Sequence, residues 1–596
     1  MRIESIVAGA VNRFFEENNL PLPDQSMIQI QKTRREFSGD ITLVVFPLIR
    51  IMKKSPAEAG EELGRYLKQL PQISEFNVIK GFLNLLIESS YWTRFVSEIY
   101  SKDNYGISEK SGPADTVLVE FSSPNTNKPL HLGHIRNNLL GYSISLILEA
   151  NGFDVKKVNL VNDRGIHICK TMLAWEKWGD DKSPADAGMK GDHFVGKMYV
   201  LFENAYRKEV DELVAGGMSV EQARIDAPLM VEAREMLRKW EGGDPGVYRL
   251  WEKMNGWVYE GFDVTYRKLG VSFDRIYYES DTYHTGKEIV EEGLAKGILN
   301  KKEDGSVWAD LTDRGLDEKL LLRSDGTSVY MTQDLGTAVM RQKDFNAGKM
   351  YYVVGNEQDY HFRVLSLILD ELGYEWAGSL HHISYGMVEL PSGKMKSREG
   401  KVVDADNLID EMIETSGRLS AELGKLDGVS GEEKEDIIRK IGMGALKYFI
   451  LKVDPKKNMV FNPEESIDFN GNTGPFIQYT HARICSLMNK AGEHGITPER
   501  GESGIITLTG KEVRVVSLLH DFPDVITEAG KNSSPALIAN LLYDLAREYN
   551  QFYHDHPVIR ENDDRVRNFR LQLSLATGNV IRMGMGLLGI EMPEKM

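Results

Sequence analysis

Cysteine is almost missing: Cys169 and Cys485 are the only two in 596 residues, too few for a disulfide framework or a four-thiolate structural zinc site. A reducing compartment is expected. No apolar run approaches a membrane span, and the opening Met1-Arg2-Ile3-Glu4 carries acid where a secretory leader needs an apolar core. A cytoplasmic chain without a membrane partner is therefore expected. Excess positive charge is lacking too. Lys and Arg total 72 against 89 Asp and Glu, a net charge of −17, which argues against nucleic-acid binding by the whole surface. It leaves room for local basic patches that hold a structured RNA by shape. Internal repeats and low-complexity tracts do not occur.

What is present is ordinary globular composition, 41% hydrophobic and 27% charged, at a length that implies several domains. Residues 1–110 read as a small α+β domain, with amphipathic helices at Ile6–Glu17 and Ala57–Leu67 and an alternating strand pattern from Phe76 to Ile87. Ser111-Gly112-Pro113 marks its boundary. Over 111–407 apolar strands (Thr116–Phe121, Val158–Val161, Lys349–Val354, Ile383–Leu390) alternate with helices, the pattern of a Rossmann-like parallel sheet. A charged helical stretch at about 177–259 interrupts it as an insertion. Residues 408–465 read as a connecting helical segment and 466–596 as an all-helical domain. Its helices are expected at Thr473–Lys490, Leu537–Tyr553 and Phe569–Met585, after one at Glu433–Lys452.

Two elements carry chemistry. His131-Leu132-Gly133-His134 stands where the strand from Thr116 turns into a helix, whose unpaired N–H groups and positive dipole end suit a polyphosphate. Gly133 lets a flat base approach the backbone. Half a metal site or a solvated first turn fits this spacing as well. The second element, Gly393-Lys394-Met395-Lys396-Ser397-Arg398-Glu399-Gly400, is a cationic, Gly-bracketed loop after a strand, able to stabilise a departing pyrophosphate or to be a basic surface turn. Together they resemble the HIGH and KMSKS signatures of class I aminoacyl-tRNA synthetases, in the expected order.

The residues leading into the first signature, Val119-Glu120-Phe121-Ser122-Ser123-Pro124-Asn125, and the segment Tyr330-Met331-Thr332-Gln333-Asp334 narrow the resemblance to the arginyl-tRNA synthetase family. Helical spacing puts Tyr330 and Asp334 on one face, so a phenol and an acid can converge on a cation. Val353-Val354-Gly355-Asn356-Glu357-Gln358 and Asn472-Thr473-Gly474-Pro475-Phe476 resemble two further segments of that family, so the match spans the chain. The resemblance implies that Ser123 and Asn125 hold the backbone end of arginine, and that Glu120, Tyr330 and Asp334 hold its guanidinium, with Gln358 lining the pocket. It implies that His131, Gly133, His134, Lys394 and Ser397 meet ATP, that the backbone of Met387 and Val388 reads adenine, and that Lys396 and Arg398 join the catalytic cations. For tRNA(Arg) it implies Phe82 and Asn84 at the D-loop, Phe476 and Arg483 at the anticodon, and Tyr553 and Met596 nearby.

Departures are instructive. The fourth position of the second signature is Ser397 rather than lysine, and Lys128, just ahead of the first signature, stands where relatives are thought to supply the missing charge. His167 stands where relatives commonly carry glutamine. The expected reaction is ATP-dependent activation of L-arginine, with Mg2+ as the ATP counter-ion, followed by transfer to tRNA(Arg). No organic cofactor, no protein-bound metal and no editing domain are expected, and the resemblance implies a monomer. The rivals are another nucleotidylyl transferase with the HxGH signature and an RNA-binding relative without catalysis.

Overall fold

Helix α1 (Ile3–Glu17) buries Ile3, Val7, Val11 and Phe14 at three- and four-residue spacing. The computed structural model describes residues 2–34, 36–108, 115–389, 391, 403–422, 429–499 and 506–596. Strands β1 (Gln29–Lys32) and β2 (Ile41–Val44) follow, then α2 (Ile49–Met52) and α3 (Pro56–Leu67). The last starts on Ser55, whose hydroxyl and Glu58 form a reciprocal capping box. Strands β3 (Ile73–Ile79) and β4 (Phe82–Ile87) complete an antiparallel sheet of order β1-β2-β4-β3. The alternating pattern expected as one strand over Phe76–Ile87 is thus the end of β3, the turn and the whole of β4. Lys80 and Gly81, at φ 50° and 81°, make its two-residue turn. Helix α4 (Ser89–Ile99) leads into the next domain.

The second domain opens with β5 (Thr116–Glu120), α5 (Leu132–Ala150), β6 (Asp154–Val161) and α6 (Ile166–Trp178). The expected insertion is helical: α7 (Gly191–Ala215), α8 (Val220–Asp226), α9 (Pro228–Glu241) and α10 (Pro245–Leu269). Then come β7 (Arg275–Tyr278), α11 (Glu279–Ala295), a small antiparallel sheet of β8 (Asn300–Lys301), β9 (Val307–Ala309) and β10 (Lys319–Leu322), and α12 (Tyr330–Phe345). Strand β11 (Lys349–Gly355), α13 (Asp359–Glu371), β12 (Leu380–Tyr385) and β13 (Val388–Glu389) close it. The main sheet is parallel throughout, in the order β12-β11-β5-β6-β7. Crossovers leave β5 in opposite directions, so a crevice opens at its carboxyl end, where open α/β sheets bind ligands. Four residues of β5 are buried, as expected of a strand covered on both faces. The strand expected at Ile383–Leu390 is divided at Gly386, where a Cβ would lie 2.5 Å from the Lys457 backbone.

The remainder is helical apart from β14 (Met459–Val460), which pairs in parallel with β13. It comprises α14 (Ala405–Glu422), α15 (Gly431–Leu451), α16 (Pro463–Ser466), α17 (Gly474–Glu493), α18 (Gly510–Asn532), α19 (Pro535–Asp555) and α20 (Asp564–Leu587). Its core includes Tyr448, Leu519, Leu542, Tyr549 and Phe569, all fully buried. The amino-terminal domain is tied to α18 by Arg2–Asp524 and Lys32–Asp521 ion pairs. Among the described residues no helix is long and apolar enough to cross a membrane.

Candidate active site

The turn after β5 is strained. Ser122 and Ser123 hold φ of 79° and 45°, left-handed values that cost roughly 1–3 kcal/mol each for a residue with a Cβ. Buried amides offset the cost: Asn137 accepts the Ser122 N–H at 2.5 Å and Asn159 the Ser123 N–H at 3.0 Å. The Ser122 hydroxyl meets the Tyr266 hydroxyl at 2.7 Å. Asn125 then bridges to Asn162 through its backbone and leaves its side chain exposed.

His131 is the N-cap of α5. Its Nδ1 accepts the Gly133 N–H at 3.1 Å, while Nδ1 of His134 accepts the His131 N–H at 3.2 Å. A nitrogen that accepts carries no proton, so both rings are neutral with the proton on Nε2. Burial, then nearby Lys128, pushes His131 down to about 4, and burial holds His134 well below the ordinary histidine range. The ring centroids are 4.0 Å apart. Gly133 has an immediate reason beyond room for a base: a Cβ there would lie 2.9 Å from Cε1 of His131. Burial lowers the Lys128 pKa, and among the described residues no carboxylate pairs with that ammonium.

Lys394, Lys396, Ser397 and Arg398 lie outside the described residues. The flanks of their loop are fixed. Leu132 N–H donates to Val403 O at 3.1 Å and Ala405 N–H to Leu130 O at 2.9 Å, so the exit runs beside the first signature. On the entry side, buried Arg136 clamps the carbonyls of Met387, Pro455 and Lys457 at 3.0, 3.1 and 2.7 Å. Met387 is thereby committed: its carbonyl also accepts the Met459 N–H, and its own N–H donates to Asn458. Bonds to β14 come from Met387 and Glu389, so the peptide groups of Val388 face the opposite edge.

In the expected arginine pocket, the Asp334 carboxylate accepts from His361 Nε2 at 2.6 Å. Tyr330, one turn earlier, is 76% exposed, and Gln358 is exposed at the start of α13. Glu120 differs from its expected role. It is buried, ion-paired with Arg341, and accepts the Ser123 hydroxyl at 2.9 Å, so a guanidinium of this chain already occupies it. Both acids nonetheless serve one neighbourhood. Burial pushes the Tyr352 hydroxyl up to about 12, and the charges of Glu120 and Asp334 both contribute.

A cavity of about 1690 Å³ is walled by Asn125, Lys128, His131 and Tyr330 together with the insertion; Glu120, Asp334 and Gln358 are not on its lining. Eight lysines and arginines line it against five acids, the reverse of the balance in the whole chain. His167 is on this wall, with Nδ1 3.1 Å from the Tyr199 hydroxyl. Sequence reasoning missed Glu279, whose carboxyl burial pushes up to about 7 and which accepts from Gln333 at 2.6 Å. An acid directly after a β-strand was its only signal. It also missed the link from the insertion to the loop exit, His193 Nε2 to Asp404 at 3.0 Å, where Asp404 and then Asp406 push His193 up to about 9. Asp192, His193 and Asp406 lie close enough to hold a cation, but the Lys190 ammonium already bonds both acids.

Of the expected tRNA contacts, Asn84 is reassigned. It is fully buried, accepting from Thr42 at 2.6 Å and donating to Asn77 at 2.8 Å, which leaves no amide edge for a base. Phe82 meets Phe46 edge-on at 5.9 Å, under Arg34 at 5.3 Å. Arg483 and Tyr553 do come together, at 5.5 Å, with Tyr479 on the same guanidinium at 4.8 Å. Phe476 packs on Tyr543 at 5.7 Å, and Met596 is half-buried against the helical core.

Comparison with known proteins agrees with this geometry. The profile described as "tRNA synthetases class I (R), catalytic domain" matches residues 95–463, "Arginyl tRNA synthetase N terminal domain" 1–87 and "DALR anticodon binding domain" 477–596. An arginine–tRNA ligase of Bacteroides thetaiotaomicron is 58% identical, covering 100% of both chains, and one of Bacteroides fragilis 59%, covering 96% of both. In fold, the chain is similar to the arginyl-tRNA synthetase of Thermus thermophilus, at a TM-score of 0.79 and 24% identity, covering 100% of both. With a catalytic-domain match over more than half its length and relatives this similar end to end, the chain belongs to the arginyl-tRNA synthetase family.

Proposed function

We propose that this protein activates L-arginine with ATP and transfers it to the terminal ribose of tRNA(Arg). The observation that carries this is the meeting, around one cavity, of His131 at a helix start, of Lys128, which has no carboxylate partner among the described residues, and of Asn125 and Tyr330, with the neutral His134 ring packed behind His131. MgATP enters as substrate, its metal held by phosphate oxygens, so no dedicated protein cage is required. Neutral Nε2–H groups of His131 and His134 donate to phosphate oxygens, and Lys128 neutralises charge on the pentacoordinate α-phosphate. Ser123 and Asn125 orient the arginine carboxylate for in-line attack, giving arginyl-adenylate and pyrophosphate. The edge of Val388, which has no backbone partner among the described residues, reads adenine. Lys394, Lys396, Ser397 and Arg398 are assigned to the departing pyrophosphate by resemblance.

Asp334, with Tyr330 and Gln358, takes the guanidinium. A lysine or apolar analogue would leave these groups unpaired, so no editing step is required. The tRNA acceptor end meets the basic wall of the insertion, Phe82 faces the D-loop, and Phe476, Arg483 and Tyr553 face the anticodon, with Met596 alongside. We assign the protein to the cytoplasm as a monomer. ATP–pyrophosphate exchange with each of the twenty amino acids, with and without total tRNA, tests the reading. Exchange with arginine alone is expected; exchange with another amino acid, or tRNA binding without exchange, overturns it.

A further inference from the structure

Asp334 and His361 stand on neighbouring helices. Leu335 and Ala338 of α12 share one buried cluster with Val364 and Leu365 of α13, so the two helices are held against each other. His361 Nε2 donates to Oδ2 of Asp334 at 2.6 Å, and among the described residues no partner reaches Oδ1. The pair is 21% and 31% exposed, and ion pairs so placed add little to stability. What the bond supplies is geometry. The outer torsion of an aspartate is a broad, soft rotor, so a bond to one oxygen fixes the plane of the carboxylate and the direction of the lone pairs on the other. His361 is itself braced. Phe362, the next residue, stacks on the His382 ring at 4.7 Å and lies 5.0 Å from the ring of buried Tyr352, which seats the first turn of α13 on the main sheet. His382 closes the bracket, with Nδ1 2.8 Å from an Asp359 oxygen and Nε2 3.0 Å from Val354 O. The first turn of α13 is thereby tied to β11 and β12, and His361 offers its N–H from a fixed point.

We propose that His361 is a positioning residue that sets specificity: by bonding one oxygen of Asp334 it fixes the plane of that carboxylate and leaves the other oxygen aimed at a planar guanidinium. This rests on the arginine-activating reading above. A guanidinium, with donors in a rigid plane, gains from an acceptor whose lone pairs are fixed in direction. The compact, rotating ammonium of lysine bonds a mobile carboxylate as readily as a fixed one, so loss of the brace should cost arginine more than lysine.

The test is arginine-dependent ATP–pyrophosphate exchange by the full-length protein with tRNA present, with L-lysine as a competing inhibitor. His361→Phe should raise the KM for arginine roughly tenfold, as a misaimed binding group does, with kcat at saturating arginine and the KM for ATP within about twofold of wild type. The inhibition constant of L-lysine should stay within about twofold, so selectivity for arginine falls by most of that factor. His361→Gln, which keeps an N–H donor near the place of Nε2, should restore most of the arginine affinity. Because the bond acts through Asp334, adding His361→Phe to Asp334→Asn should change the KM for arginine by less than about twofold. Should His361→Phe fail to fold, His361→Ala carries the same comparisons. A folded variant that lacks the donor yet keeps the wild-type KM for arginine overturns the proposal, as does an equal loss of L-lysine binding or full additivity with Asp334→Asn. A wild-type protein without arginine-dependent exchange overturns the underlying reading instead.

Discussion

The nucleotide end and the amino-acid end of the candidate site handle charge in opposite ways. At the nucleotide end the chain offers two histidines kept neutral by burial and backbone bonds, and a lysine with no carboxylate partner among the described residues. At the amino-acid end its acids are already partnered, Glu120 with Arg341 and Asp334 with His361. ATP brings its own negative charge, so an uncommitted cradle suffices. An arginine side chain must match the orientation that His361 imposes on Asp334, which penalises any cation of another shape.

The largest expected effect that sharpens this contrast is at Lys128. Lys128→Ala should lower the activation rate roughly 100-fold, the loss seen when one preorganised electrostatic donor is removed, with the KM for arginine nearly unchanged. Exchange kinetics at saturating arginine measure it. Next, Asp334→Asn should raise the KM for arginine by roughly tenfold to 100-fold through loss of a charge-assisted bond, with the KM for ATP unmoved. A third prediction separates structure from recognition in the amino-terminal domain. Asn84→Ala should lower stability by about 1–3 kcal/mol, because Thr42 and Asn77 lose their buried partner. Thermal unfolding reads that loss, while Phe82→Ala should instead raise the KM for tRNA.

The smallest effect is a pH dependence. His131 is depressed from 6.5 to about 4 in the folded chain, so the unfolded state takes up its proton first as pH falls. The stability contributed by neutral His131 is therefore full above pH 6.5 and is lost progressively between 6.5 and about 4. Urea midpoints of wild type and His131→Asn at pH 7 and pH 5 should converge towards the lower pH.

The helices and the central strands were legible because their periodicity reports burial directly: α3 covers the expected Ala57–Leu67 and α17 the expected Thr473–Lys490 to within a few residues. The two signatures, Tyr330 and Asp334 were legible as short local patterns. What escaped depends on long-range packing. The strand Arg275–Tyr278 is short and half polar, and only its place beside β6 makes it part of the sheet. Arg341 and Glu120 are 221 residues apart, so nothing local reveals that the carboxylate is already neutralised. Asn84 reads as a strand amide, and its burial follows from Thr42 on the neighbouring strand. The histidine tautomers follow from cap geometry that a tetrapeptide does not display.

The most direct test is charging of total tRNA with radiolabelled amino acids by wild type and Asp334→Asn side by side. The account predicts arginine as the one amino acid attached by wild type, and a rate at low arginine that falls steeply in the variant. Charging with a different amino acid, or an unaltered arginine dependence in Asp334→Asn, would contradict it.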